Sequence, residues 1–250
     1  MKTASYYLLS VIMFFGSSVG SAAEEGVKKT VINIVTAQET GTYHQIATDI
    51  QKIAPDNLAV KLSPSVGSFT NALLIATSPD DNQMGMLQLD IFNSLQGELA
   101  QAIKIALPLY HEELHLVTNN EAIKTFADLK GKRVAVDIQG TGTHSVVKLL
   151  LEKAGLEGLE HVYLGGATAV NALKEKQIEA MFYVIGHPAP LFKTLNNAFH
   201  LVPITLSLGD GFQQTVIPAD TYAWQAQEVA TLSIPVALVV HNYETQDENC

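Results

Sequence analysis

The chain has 250 residues with 15 basic and 25 acidic side chains, a formal charge of −10 at pH 7 and a single cysteine, Cys250. That charge repels phosphate backbones and anionic lipid surfaces, which argues against nucleic acid as a partner. One cysteine excludes an intramolecular disulfide, so an apolar core must supply the stability.

The first 23 residues stand apart. Lys2 is followed by an apolar run over 6–15, broken only by Ser10, and by small residues over 17–23 ending in Ala22 and Ala23. The run is far shorter than the ~20 residues a membrane-crossing helix needs. The segment reads as a secretory leader cut after Ala23, which predicts a periplasmic protein. Removing it takes away Lys2 and leaves a net charge of −11.

From there the pattern is strand, small-residue turn, helix, repeated. A strand is predicted over 31–35, a helix from Gly41 to about Ile53, and a strand over 58–62. A helix then opens at Ser65–Ser68, with Phe69, Ala72, Leu73 and Ala76 as its apolar positions, and a strand follows over 83–87. A second set begins with a strand over 114–118 and a helical turn over 125–129 that Gly131 stops. It continues with a strand over 133–138, a helix over 145–154 closed by Gly155, and a strand over 161–164. Thr168 is expected to cap a helix running to Lys176, and a strand over 180–184 leads into Gly186, His187 and Pro188. Two βαβαβ sets in tandem imply parallel sheets with helices on both faces. The last strand, 231–240 with Pro235 inside it, runs into a polar tail over 244–250. A buried strand of this kind normally has a covering helix, so the C-terminal part reads as truncated and an apolar face is expected to be exposed.

Four strand-to-helix turns are rich in Gly, Ser and Thr: at 41–43, 65–68, 139–143 and 165–168. A helix start offers unpaired N–H groups and a partial positive charge. In doubly wound sheets such turns lie at the carboxyl ends of the strands, where ligands bind. As ordinary N-caps, Ser and Thr would be equally at home there. The only arginine, Arg133, opens a strand and so faces away from that end, which removes an arginine clamp on an anion. Tyr43 and Tyr183 are expected in turns of opposite lobes, as core residues or as rings closing on a ligand. His44, His144 and His187 read as polar pocket walls.

Two patterns point to enzymes. His111, Glu112 and His115 match H-E-x-x-H, but that zinc motif needs a helix, and a strand follows at once. GTGTHS at 140–145, with Glu160 further on, is a dinucleotide fingerprint lacking its third glycine.

Seven segments occur in a set order: GTY (41–43), SVGSFTN (65–71), LQLD (87–90), LYHEELHL (109–116), FADLKGKRVAV (126–136), GTGT (140–143) and FYVIGHP (182–188). Together, over about 30–240, they resemble the TAXI family of solute receptors of TRAP transporters. The resemblance implies an α/β type II periplasmic-binding-protein fold, with two βαβ-type lobes and a hinge, closing like a Venus flytrap. Lobe one is expected over 24–110 plus 228–250 and lobe two over 111–227, after the signal peptide at 1–23. It also implies a non-enzyme that captures a small carboxylate such as glutamate or 2-oxoglutarate and delivers it to TRAP permease membrane subunits, with no cofactor and no metal. The family's binding residues fall on Thr42, Tyr43, Ser65, Gly67, Ser68, Asn71 and Gln88 in the first lobe, and on Thr141, Thr143, Tyr183 and Gly186 in the second. The sequence departs from the family in having Glu39 and Thr40, not a second glycine, before Gly41, and in ending soon after the strand at 231–240. A periplasmic sensor signalling to a membrane kinase is the alternative, with a zinc hydrolase built on His111, Glu112 and His115 third.

Overall fold

The computed structural model describes residues 29–209 and 211–245. The leader at 1–23 and the end of the polar tail, with Cys250, lie outside them. Among the described residues no helix is long and apolar enough to cross a membrane.

The first unit is β1 (Thr30–Val35), α1 (Thr42–Ile53), β2 (Leu58–Ser63), α2 (Ser68–Thr77) and β3 (Met84–Gln88). Two short helices follow, α3 (Leu89–Ser94) and α4 (Gly97–Gln101), and lead into the long strand β4 (Ile103–Thr118). The second unit is β5 (Arg133–Ala135), α5 (Gly142–Ala154), β6 (Glu160–Val162), α6 (Gly166–Lys174) and β7 (Ala180–Ile185). Then come β8 (His200–Leu201), β9 (Gln213–Ile217) and β10 (Val229–His241).

These strands form one sheet in the order β2-β1-β3-β10-β4-β7-β5-β6, with β8 on β4 and β9 on β10. Each unit is a parallel trio with its first strand in the middle, so both tandem sets have the same topology. The antiparallel pair β4 and β10 joins them. β10 pairs with β9 over Val229–Ser233 and with β3 over Val236–Val240. β4 pairs with β7 from Glu113 onward. The carboxyl end of β3, at Gln88, lies beside Val236, and that of β7, at Ile185, lies beside Glu113. The strand ends of the two units therefore point at each other across the crossing near His111 and Pro235.

Period-two alternation sets the two faces of each unit. In the first, Ile34 and Met86 pack with Tyr43 and Ala47 of α1, while Val35 and Leu87 pack with Ala72 and Ile75 of α2. In the second, Val134, Phe182 and Val184 meet Val146, Val147 and Leu150 of α5. On its other face Ala135, Met181 and Ile185 meet Ala169, Val170 and Leu173 of α6. Each such fully buried Leu, Ile or Phe contributes roughly 1.5–3 kcal/mol.

Several sequence expectations change here. The strand predicted from 114 begins at Ile103, because β10 supplies a partner over Ile103–Glu113, bulges and Pro235 included. The strand predicted over 133–138 stops at Ala135, since Asp137 takes a left-handed φ of 65°. Thr168 does not cap its helix: α6 starts two residues earlier, with Gly165 as N-cap. The exposed apolar face expected on the last strand is instead on β4. β10 is covered over most of 231–239, whereas Ile105 and Leu107 are 44% and 46% exposed.

Candidate functional site

Three helix starts converge where the strand ends of the two units meet. Gly41, Thr42 and Tyr43 open α1, Gly67 and Ser68 open α2, and Thr141, Gly142 and Thr143 open α5; all line one cavity of about 60 Å³. Tyr183, Val184 and Ile185 of β7, with Gln88, Glu112, Asp137 and Gln38, complete it. That volume holds a few water molecules, because the units are close together. A Cβ placed on Gly67 would stand 3.6 Å from Thr141 Cα, and one on Gly142 only 2.0 Å from Gln88 Oε1. At 67 the φ of 142° is what calls for glycine, since a Cβ there would meet Thr141 only at ordinary contact distance.

None of these three helices carries an acidic side chain in its first turn. α1 and α2 have glycine N-caps with no side-chain cap, so no capping side chain takes up their first N–H groups. α5 is capped by Thr141, whose hydroxyl accepts from His144 N at 3.1 Å. Among the described residues that line the cavity there is no lysine, arginine or histidine. Arg133 opens β5 and is not among the lining residues, its Nη2 donating to Lys176 O at 3.3 Å.

The fourth Gly-rich turn does not reach the cavity. A Cβ on Gly165 would lie 1.9 Å from Asp137 Oδ1, and one on Gly166 2.7 Å from Gln38 Oε1. Asp137 thus covers the α6 start and places its own negative charge there. Burial raises its carboxyl above the usual aspartate range, against hydrogen bonds from Ile138, Thr143 and Thr141 that lower it.

Eight of the eleven sequence-expected residues line the cavity: Thr42, Tyr43, Gly67, Ser68, Gln88, Thr141, Thr143 and Tyr183. Ser65 and Asn71 stand behind it as braces. The Ser65 hydroxyl donates to Thr36 O at 3.0 Å and accepts from Gly67 N at 3.0 Å, and Asn71 Nδ2 donates to Met86 O at 2.9 Å. Gly186 lies in a neighbouring groove with Tyr110, His111, Glu113 and His187. Tyr183 is not in a turn but in β7, pointing in from the strand; Tyr43 sits in the first turn of α1. The Ser68 hydroxyl is 3.1 Å from Tyr43 OH and accepts from Gln88 N at 3.3 Å, while Thr143 Oγ1 accepts from Val184 N at 3.0 Å. The hydroxyls therefore shape the helix starts as much as they offer donors. His44 and His144 are near this region but outside the lining.

Glu112 is the central residue that the sequence reading gave a different role. It is 4% exposed and lines the cavity. Its Oε2 accepts from Gln88 Nε2 at 2.8 Å and from Tyr43 OH at 3.5 Å, and its Oε1 accepts from Tyr110 OH at 2.8 Å. Burial pushes its carboxyl up to about 7, against the lowering effect of the Gln88 and Tyr110 hydrogen bonds. The same burial, with Glu112 beside them, raises the Tyr43 and Tyr110 phenols far above their ordinary value, so both stay neutral donors.

The zinc pattern falls apart on β4. In a strand, residues four apart are about 13 Å apart, and neighbours face opposite ways. His115 is fully buried, with Nδ1 2.9 Å from Glu113 O and Nε2 2.8 Å from Tyr222 OH. Burial lowers it to about 4, so it is a neutral strut. His111 is exposed, and Glu112 lies on the opposite face from both. No group of three or more potential metal ligands occurs among the described residues.

Comparison with known proteins adds three findings. A family model described as the NMT1-like family matches residues 34–249. An Escherichia coli (strain K12) protein named "Putative aliphatic sulfonates-binding protein" is 29% identical over 184 residues; the match covers 72% of this chain but only 55% of that relative. Two solved structures share the fold. The alkanesulfonate-binding protein SsuA from Xanthomonas axonopodis pv. citri bound to MOPS has a TM-score of 0.53 at 16% identity, over 88% of this chain and 68% of that one. An ancestral arginine-binding protein bound to arginine has a TM-score of 0.54 at 15% identity, over 88% of each chain. The fold is the α/β type II fold of periplasmic binding proteins.

Proposed function

The chain belongs to the NMT1-like family, and from that premise we propose that it is an exported solute receptor, which captures a small organic anion between two lobes and presents it to a membrane permease. The observation that carries this reading is the convergence of three helix starts, free of acidic first turns, on one cavity with no basic side chain among its described lining residues. Backbone N–H groups and aligned peptide dipoles bind an anion without an arginine.

A carboxylate is the ligand class favoured by the order of the sequence motifs; the sulfonate named for the Escherichia coli relative is the other anion to test. The anion sits at the starts of α2 and α5, near Gly67, Ser68, Thr141 and Thr143, with Tyr43 and Tyr183 against the remainder. The permease is of the TRAP type, and the leader at 1–23 exports the receptor to the periplasm. The lobes divide at the crossing of β4 and β10. Residues 228–235 go with the second lobe, because Leu232 and Ile234 pack in its core while Val236 and Leu238 pack in the first.

A thermal-shift screen of the purified protein against carboxylates and sulfonates tests the reading. A true ligand at a hundredfold excess over its Kd stabilises by ~2.7 kcal/mol, and Ser68→Ala weakens that effect. Silence across the whole screen contradicts it.

A further inference from the structure

We infer that Glu112 and the Gln88 amide make this site selective for ligands that carry a protonated amine beside their anionic group: small amino carboxylates or amino sulfonates, in preference to keto or hydroxy acids. The inference rests on the receptor reading above and names its ligand class.

Hydrogen-bond supply and demand are unequal at Gln88 and Glu112. Gln88 is 2% exposed and lines the cavity. Its Nε2, which can only donate, is committed to Glu112 Oε2 at 2.8 Å. That fixes the amide, so Oε1 is the atom directed at the start of α5, within 2.0 Å of the position a Cβ on Gly142 would take. Among the described residues this Oε1 has no hydrogen-bond partner. A buried acceptor left unsatisfied is costly, so the site as built asks for a donor.

Glu112 asks for the same thing more strongly. Its two oxygens accept from three neutral groups, Gln88, Tyr110 and Tyr43. Among the described lining residues no basic side chain balances it, and Asp137 adds a second carboxyl to the lining. A ligand that brought only negative charge would meet like charge here. An ammonium group satisfies the Gln88 Oε1 acceptor, compensates Glu112, and is held by charge-assisted hydrogen bonds. The anionic end of the same molecule has the helix starts. Tyr43 OH bridges the two ends, 3.1 Å from Ser68 Oγ at the α2 start and 3.5 Å from Glu112 Oε2. Through Tyr43, Glu112 and the α2 start are therefore two hydrogen-bond steps apart, a reach that one small ampholyte can span. Burial, with Glu113 and Asp90 nearby, raises the Glu112 carboxyl to about 7, and an ammonium beside it would favour the ionised form again.

Titration calorimetry on the wild-type protein with two matched pairs tests this: L-glutamate against 2-oxoglutarate, and 2-aminoethanesulfonate against 2-hydroxyethanesulfonate. The amine member of one pair binds about 30-fold or more tightly than its partner, as loss of a buried charged hydrogen-bond partner requires. The pair that responds tells carboxylate from sulfonate. Glu112→Gln, close to isosteric, removes the preference while leaving the anionic end bound. Equal binding within both pairs, or a preference kept in Glu112→Gln, overturns the inference and leaves the receptor reading standing. So does binding of neither pair when amine-free anions from the thermal-shift screen do bind. If no anion of any kind binds, the receptor reading itself fails. The wild-type comparison decides the matter even should the variant not fold.

Discussion

The two faces of β4 at the crossing carry the same residue type with opposite fates. Glu112 and Glu113 are neighbours, 4% and 6% exposed. Glu113 accepts from His187 N at 3.1 Å and stands 2.8 Å from His187 Nδ1, so it ties the crossing to the loop after β7. Glu112 faces the cavity and receives neutral donors only. A buried carboxylate without a cation costs free energy. A structure bears that cost where something else, here the proposed ligand, offsets it. The comparison teaches that a charged residue's role is set by its face of the strand, not by its place in a motif.

The largest effect expected is on the Glu113 side. Glu113→Ala leaves His187 and a backbone N–H without their acceptor and should cost roughly 2–4 kcal/mol, reduced from the full buried-pair value because His187 is partly exposed. Urea unfolding measures it; a loss under 0.5 kcal/mol, the usual range for a surface site, would mean that the pair does not hold the crossing.

Glu112→Gln should do the reverse in the ligand-free protein. Its carboxyl titrates near 7 when folded against an ordinary 4.5, so the native state holds the proton more tightly. Stability is therefore full below about pH 4.5 and is lost as pH rises through 7. Gln removes the ionisation, so the variant gains up to roughly 3 kcal/mol over wild type at pH 8 and little at pH 5. His115 works in the other direction: lowered to about 4, it contributes stability that is lost as pH falls from about 6.5 through 4. Unfolding curves at three pH values separate the two, and a flat difference between Glu112→Gln and wild type would remove Glu112 from the account.

A smaller effect belongs to Ser68. Ser68→Ala removes one hydroxyl from the α2 start but leaves its backbone N–H groups, so ligand affinity should fall about fivefold, near 1 kcal/mol. The smallest belongs to His111, which is exposed on the far face. His111→Ala should change stability by less than ~0.5 kcal/mol and ligand affinity not at all. Zinc retained by the purified protein and lost with that change would reverse the assignment of the two faces.

Much of the architecture was legible because apolar alternation and Gly/Ser/Thr turns are local signals. Ile34 and Val35, or Met86 and Leu87, announce two covered faces within two residues. The start of β4 was not legible: Lys104, Pro108 and the exposed Ile105 and Leu107 give no clean period, and their strand character comes from pairing with a segment more than 100 residues away. Of the site, the helix starts could be read because turn chemistry is local, but which ones converge could not. The turn at Gly165 looks like the others, and only the fold brings Asp137 over it. Glu112 was masked by its resemblance to a zinc motif. The signal was available in the alternation: Glu112 shares a face with Leu114 and Leu116, and a carboxylate on an apolar face needs a reason to be there.

The central claim is that backbone N–H groups at the starts of α2 and α5 hold the anion. Amide chemical shifts measured while the stabilising ligand is titrated test it most directly. The account predicts large, saturating shifts at Ser68, Gly142 and Thr143, with the amides of His111 and His187 in the neighbouring groove nearly unmoved. Shifts concentrated in that groove, with the helix starts silent, would contradict it.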